Sequence, residues 1–270
     1  MEISSDISKI NKDLELIMRI NSDVQNDGIF YTDSNGLQML KRKYVTDLPV
    51  QGNYYPATSA IYIEDKQLRL NLLVPHSHGV TSPYDGGIEI MLDRKMSNDD
   101  GRGMSEGVED NKMVTSTFWL VPESISGSKT GSEVPSLSLN TNLQSLRLQY
   151  PLITLFTDNG EARISNPELS FVSNAWPSNV HLVNLRTLST QEDYTMPSNS
   201  SLMIVHERSD SCEKQSFVHR VIKNHKSIFS QVKIRSVYKS SLTGTILFLE
   251  ENFTPSSTIS KLQSCKITFR

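Results

Sequence analysis

Apolar and polar side chains alternate position by position through run after run of this chain. LRLNLLV (68–74), GIEIMLD (87–93), VTSTFWLV (114–121), NVHLVNLRTL (179–188), QVKIRSVY (231–238) and CKITFR (265–270) carry the pattern. A period of two belongs to a strand with one buried face, not to a helix. ATSAIYI (57–63), YPLITLF (150–156), SLMIVHE (201–207) and GTILFLE (244–250) are further strand-like runs. Gly, Pro, Asn and Ser punctuate them at short intervals, which describes an all-β chain of antiparallel β-sandwich architecture. Two segments are ambiguous. Leu14, Leu16, Met18 and Ile20 fit a strand, whereas Ile10, Leu14, Ile17 and Met18 fit a helical stripe. NLQSLRLQ (142–149) is the best short helical candidate, or equally a lead into the next strand.

At 270 residues the chain lies where one domain usually gives way to two. PESISGSKTGSEVPSLSLNTN (122–142) has too few large apolar side chains to bury, so it reads as a linker or long surface loop. The expected organisation is a poorly defined lead segment at 1–13, a first β half at 14–121, a flexible loop at 122–145 and a second β half at 146–270. The segment PSNSS (197–201) reads as an exposed tip.

A net charge of −3, with Lys and Arg scattered along the chain, gives no general attraction for phosphate backbones or anionic membranes. Nucleic acid is therefore not an expected partner. No stretch of 18 apolar residues occurs, so no membrane segment is expected, and MEISSDISKINKDLELIMRI lacks the apolar core of a signal peptide. Cys212 and Cys265 read as two half-buried thiols in neighbouring strands, with a disulfide as the alternative.

The densest chemistry lies in DRKMSNDDGRGMSEGVEDN (93–111), with six carboxylates, three basic residues and three glycines. It fails as an EF-hand, because setting Gly101 at position 6 puts Met96 first and Gly107 at position 12. Gly101, Gly103 and Gly107 are spaced one residue too far for a dinucleotide fingerprint, and no G-K-[ST] completes a triphosphate loop. Asp99 and Asp100 are adjacent, unlike the carboxylates of a glycosidase, which flank one bond at about 5–9 Å. By itself the stretch is a solvated hairpin whose Arg102 pairs with Asp99 or Asp100. His76 and His78 lie two apart but no third zinc ligand is in sequence reach, so both read as surface histidines and no metal site is expected. A Ser–His–Asp reading lacks its G-x-S-x-G elbow. Tyr54, Tyr55, Tyr62, Trp119 and Trp176 are either core aromatics or rings that could stack on sugars. Asn199-Ser200-Ser201 is a glycosylation acceptor, and Asn252-Phe253-Thr254, followed by Pro255, is a poorer one.

Five ordered blocks carry a family likeness: IFYTDSNGLQMLKRK (29–43), LPVQGNYYP (48–56), EIMLDRKMSNDDGRG (89–103), EGVEDNK (106–112) and NVHLVNLRTL (179–188). Together they resemble the C-terminal β region of the α-mannosidases of glycoside hydrolase family 38. GVEDN and HLVNLRT are nearer the Golgi mannosidase II type, while FYTDSNG, GNYYP and DDGRG suit the lysosomal type as well. The likeness implies a sandwich of the galactose mutarotase-like, mannosidase C-terminal type. It also implies a retaining hydrolase that trims mannose from N-glycans in the Golgi lumen or secretory pathway. In that family a zinc-bound aspartate nucleophile, an aspartate acid–base and two zinc-binding histidines sit in an N-terminal α/β domain. No catalytic or zinc residue is therefore carried onto this chain, whose expected partners are that catalytic domain and a mannose-containing glycan.

What the likeness does carry over is the D-D-x-R-G element. Asp99, Asp100, Arg102 and Gly103 would form a hairpin reaching toward the mouth of the active site, with Arg102 helping to complete the pocket. Asp33, Asn35 and Gly36 of YTDSNG would build a structural turn in which Gly36 takes a positive φ. On this reading the chain alone hydrolyses nothing; the alternative is a stand-alone carbohydrate-binding or interaction module.

Overall fold

The computed structural model describes residues 1–99, 101, 103, 105–125, 135–156, 158, 170, 172, 176–190, 192–207, 229, 234–248 and 261–269, apart from the side chains at 261–264 and 269. The chain divides into two compact units, Met1–Leu152 and Ile153–Arg270.

The first unit is built on two antiparallel sheets. One has the order β2 (Leu14–Asn21), β9 (Gly87–Lys95), β8 (His78–Thr81), β5 (Tyr55–Ala57). The other runs β11 (Trp119–Ser124), β7 (Leu68–Leu73), β6 (Ala60–Glu64), β3 (Ile29–Ser34), β4 (Gln38–Lys43). A two-stranded ribbon of β1 (Glu2–Ser5) and β10 (Val114–Thr117) draws the lead segment into the fold. The ambiguous segment at 14–20 is thus a strand, held by β9 along its whole length.

Period-two alternation sorts the five-stranded sheet into two faces. Phe30, Ile61, Ile63, Leu70 and Leu72 pack with Val80, Ile88 and Ile90 of the four-stranded sheet to form the sandwich interior. Ala60, Tyr62, Leu73 and Met39 point the other way, into a second cluster with Leu137 and Leu148. Leu148 belongs to helix α1 (Leu139–Gln149), so this sheet is covered on both faces and β6 is buried at four of its five positions. The helix starts where Ser138 accepts the Thr141 amide as an N-cap, and it buries Thr141, Ser145 and Leu148 at helical spacing. Two of those three side chains are small, which lets the helix lie close to the sheet.

Several expectations give way here. YPLITLF (150–156) forms no strand: Leu152, Ile153, Leu155 and Phe156 are 98%, 84%, 88% and 92% exposed. Its apolar pattern suits a strand, but Pro151 lacks an amide donor and no described strand pairs with it. VTSTFWLV is broken at Phe118, which is wholly buried in the sandwich between β10 and β11. Residues 122–124 continue β11, and the helix occupies 139–149, while 126–134 lie outside the described residues. The units part between Leu152 and Ile153.

Among the described residues, the second unit holds an antiparallel sheet in the order β12 (Val180–Ser189), β13 (Pro197–Glu207), β15 (Lys261–Phe269), β14 (Ile234–Lys239). Val180, Met203, Val205, Val237, Cys265 and Ile267 form its core, with Trp176, Phe229 and Ile234 against it. PSNSS is not a tip but the first residues of β13, with Asn199 exposed. Cys265 is a free thiol, fully buried and pushed up to about 12 by desolvation; Cys212 lies outside the described residues.

Candidate functional site: an arm rooted at the end of β9

The charged stretch 93–111 leaves the sandwich as a hairpin. Met96 and Val108 exchange backbone hydrogen bonds of 3.0 and 2.8 Å, an isolated antiparallel bridge that closes the loop 97–107. Gly107 makes that closure sterically possible, because a Cβ there would sit 2.2 Å from the Met96 carbonyl oxygen. Gly101 and Ser105 both adopt positive φ, at 74° and 59°.

The root of the arm is fixed from several directions. The Asn111 amide donates to Asp93 Oδ1 at 3.1 Å and to the Arg94 carbonyl at 2.8 Å. Arg94 reaches Glu15 on β2 at 3.2 Å, and Lys95 Nζ donates to the Ser8 carbonyl at 2.8 Å. Asp13 accepts the Ser97 amide at 2.7 Å, and hydrogen bonds from the Ser97 side chain first and its amide second hold the carboxyl below the ordinary carboxylate range.

At the outer end, Asp99, Gly101 and Gly103 are exposed, and Asp99 Oδ2 accepts the Gly101 amide at 2.9 Å. Asp100 and Arg102 lie outside the described residues. Asp99 therefore shapes the turn through the backbone. The root contacts from Asn111, Asp13 and Ser8 could not be found by spacing, since they join positions far apart in sequence; the family likeness marked only the block GVEDN, which holds Gly107 and Asn111.

The other expected positions fall elsewhere. Asp33 is 3% exposed and accepts the amides of Gly36, Thr58, Ser59 and Ala60 at 2.6, 2.8, 2.7 and 2.9 Å, together with the Thr58 hydroxyl. Asn35 and Gly36 take φ of 54° and 70°. The turn is structural, and its carboxylate ties two strands that the sequence keeps apart. His76 and His78 do meet, with ring centroids 4.4 Å apart, but His78 is not a surface residue. It is buried beside Phe118, its Nδ1 bonded to the Met91 carbonyl at 2.8 Å, because β8 turns it inward with Val80. Among the described residues no group of three or more His, Cys, Asp or Glu side chains could hold a metal ion. The zinc implied by the family likeness thus has no fitting ligand set among them.

The C-terminal domain model of glycosyl hydrolases family 38 matches residues 1–102. Human Alpha-mannosidase 2 is 32% identical over 275 residues, which covers 95% of this chain and 22% of that protein. Alpha-mannosidase 2 of Spodoptera frugiperda is 33% identical, over 87% of this chain and 23% of its own length. Among solved structures, a family 38 glycosyl hydrolase protein from Enterococcus faecalis superposes with a TM-score of 0.56 at 10% identity, over 98% of this chain and 28% of that one. An alpha-mannosidase from Enterococcus faecalis V583 gives 0.53 at 13%, over 93% and 25%. Those structural likenesses establish the fold. Residues 1–102 thus carry the C-terminal domain of glycosyl hydrolases family 38, and the chain as a whole is similar in sequence and in its all-β fold to members of that family. Within the family its sequence is similar to the α-mannosidases of the alpha-mannosidase 2 type, of whose length it spans about a quarter.

Proposed function

We propose that this chain is the C-terminal β portion of a Golgi-type α-mannosidase of the secretory pathway, which hydrolyses α-mannosidic bonds in N-glycans. In this reading the zinc, the nucleophile and the acid–base belong to an N-terminal catalytic domain. The arm 93–111 supports the substrate pocket, which Arg102, with Asp99, Asp100 and Gly103 beside it in sequence, helps to complete. One observation carries the reading: the arm is clamped at its root by Asn111, Asp13, Glu15 and Ser8, while Asp99, in its loop, is exposed. Such an arrangement presents charge to a neighbouring surface at little cost in ordering. The 32% identity with human Alpha-mannosidase 2 over 95% of the chain supports it.

Hydrolysis of an aryl α-mannoside with added zinc tests the division of labour. The chain alone is expected to give no turnover. Joined to the catalytic portion of a family relative it is expected to support turnover, and Arg102→Ala should then lower kcat/KM by about 30–100-fold, the worth of one charge-assisted hydrogen bond. Turnover by the chain alone that depends on Arg102 would refute the reading.

A further inference from the structure

The four-stranded sheet turns one face to the sandwich core, and its other face carries a polar construction that the arm does not use. Strand register sets Arg19 of β2 beside Glu89 of β9, and Glu89 beside Thr81 of β8. Glu89 and Thr81 are 6% and 1% exposed although they face away from the core. Glu89 Oε1 accepts Arg19 Nε and Nη2 at 2.7 and 2.5 Å, and Oε2 accepts the Tyr54 hydroxyl at 2.9 Å.

Two glycines flank this row, and a tyrosine ring lies over each. A Cβ at Gly87 would come within 2.5 Å of the Tyr84 ring, and one at Gly79 within 3.6 Å of the Tyr54 ring. The Arg19 guanidinium stands 5.9 Å from the Tyr84 centroid, and the Tyr84 hydroxyl donates to Asn21 Oδ1 at 2.7 Å. Burial therefore ends at this edge of the sheet: the Arg19 side chain is 51% exposed, Tyr84 42%, and Asn21 is exposed.

We propose that Arg19, Asn21 and Tyr84 form a binding site for an uncharged pyranose unit of a glycan, separate from the arm. The charge balance chooses the ligand class. Glu89 neutralises the guanidinium at contact distance, so an anion gains little there, whereas a hydroxyl needs only the N–H dipoles. Of the five N–H groups of Arg19, two serve Glu89, and the rest have no protein acceptor among the described residues. The Tyr84 hydroxyl, having donated to Asn21, still offers a lone pair. Asn21, its oxygen occupied, offers its amide protons.

Arg19 and Asn21 lie two apart on edge strand β2, about 7 Å along one face, with a half-exposed aromatic ring beside them. Alternating donors and acceptors next to an aromatic face suit the hydroxyl edge and C–H face of a sugar ring. The Glu89 and Tyr54 contacts hold the guanidinium in place beforehand, which lowers the ordering cost of capture.

This site stands without the arm, so its fate and that of the pocket are separable. Saturation-transfer NMR and titration on the full chain, with methyl α-D-mannopyranoside and with a mannose oligosaccharide, are the measurements. Transfer to the sugar is expected, with affinity falling at least tenfold in Tyr84→Ala and in Asn21→Ala. Asn21 is exposed and outside the Glu89 network, so that variant is expected to keep the parent Tm. Sodium sulfate at equal concentration should leave the sugar in place. No transfer to either sugar, displacement by sulfate, or unchanged affinity in both variants overturns the proposal. A loss confined to Arg102→Ala would also overturn it, while leaving the pocket reading intact.

Discussion

Replacing Asp33 by alanine removes a carboxylate on which two strands converge. Its Oδ1 holds the amides of Thr58, Ser59 and Ala60, and its Oδ2 holds the Gly36 amide and the Thr58 hydroxyl. Gly36 is exposed and Thr58 half-buried, so water can take over their donors, but Ser59 and Ala60 are buried and are left unpaired. At about 1–3 kcal/mol for each orphaned buried donor, the loss comes to about 4 kcal/mol. Asparagine keeps the shape and one oxygen toward Thr58–Ala60 while setting an NH2 against the Gly36 amide, and should cost only about 1–2 kcal/mol. Urea unfolding of the first unit, followed through Trp119, measures both. With a slope of about 2 kcal/mol/M, the midpoint should fall by about 2 M for alanine and about 0.5–1 M for asparagine. An alanine shift below about 0.5 M, or an asparagine variant as damaged as alanine, would show that the carboxylate does not organise this turn.

Gly107→Ala forces a Cβ against the Met96 carbonyl, so the Met96 and Val108 amides should exchange at least about tenfold faster with deuterium while the sandwich keeps its protection; retained protection at both would refute the steric account. Glu123→Ala deletes the acceptor shared by the Ser138 and Thr141 hydroxyls and, through its second oxygen, the Asn71 amide, and should loosen α1 by about 1–2 kcal/mol, read as faster exchange at Asn142–Tyr150. Burial holds the His78 pKa below its ordinary value of 6.5, helped by His76 and opposed by the Met91 carbonyl. The unfolded chain therefore takes the proton first, and this contribution to stability is intact above pH 6.5 and is lost as pH falls toward the folded value. His78→Phe should flatten that part of the urea midpoint against pH between about 7.5 and 5, and an unchanged profile would contradict it.

The strands were legible where apolar side chains take one face and polar ones the other: Ile88 and Ile90, which face the sandwich interior, alternate with Glu89 in the letters GIEIML. Other features were hidden for definite reasons. In YPLITLF the composition suits a strand, but pairing is a property of neighbours, and none is supplied among the described residues. The helix was visible only from 142, because its buried stripe of Thr141, Ser145 and Leu148 is too polar to show a strong period, while its start depends on the Ser138 hydroxyl. The charge-rich character of the arm was plain from composition. Its anchorage to Asp13 and Ser8 was not, since more than eighty residues separate the partners. Glu89 looked like one more polar residue in a strand, and only the register beside Arg19 and the tyrosine laid over Gly79 explain why it is buried.

A sheet enclosed on both sides has a history during synthesis. The hairpin from Ala60 to Leu73 leaves the ribosome well before Leu139–Gln149, the helix that will shield its outer face. At about 5–20 residues per second, that greasy surface stands open for several seconds on every nascent chain. Translation that stalls or stops short of residue 149 would therefore yield a sticky product with an intact sandwich and a naked flank, a species for chaperones to hold or proteases to clear.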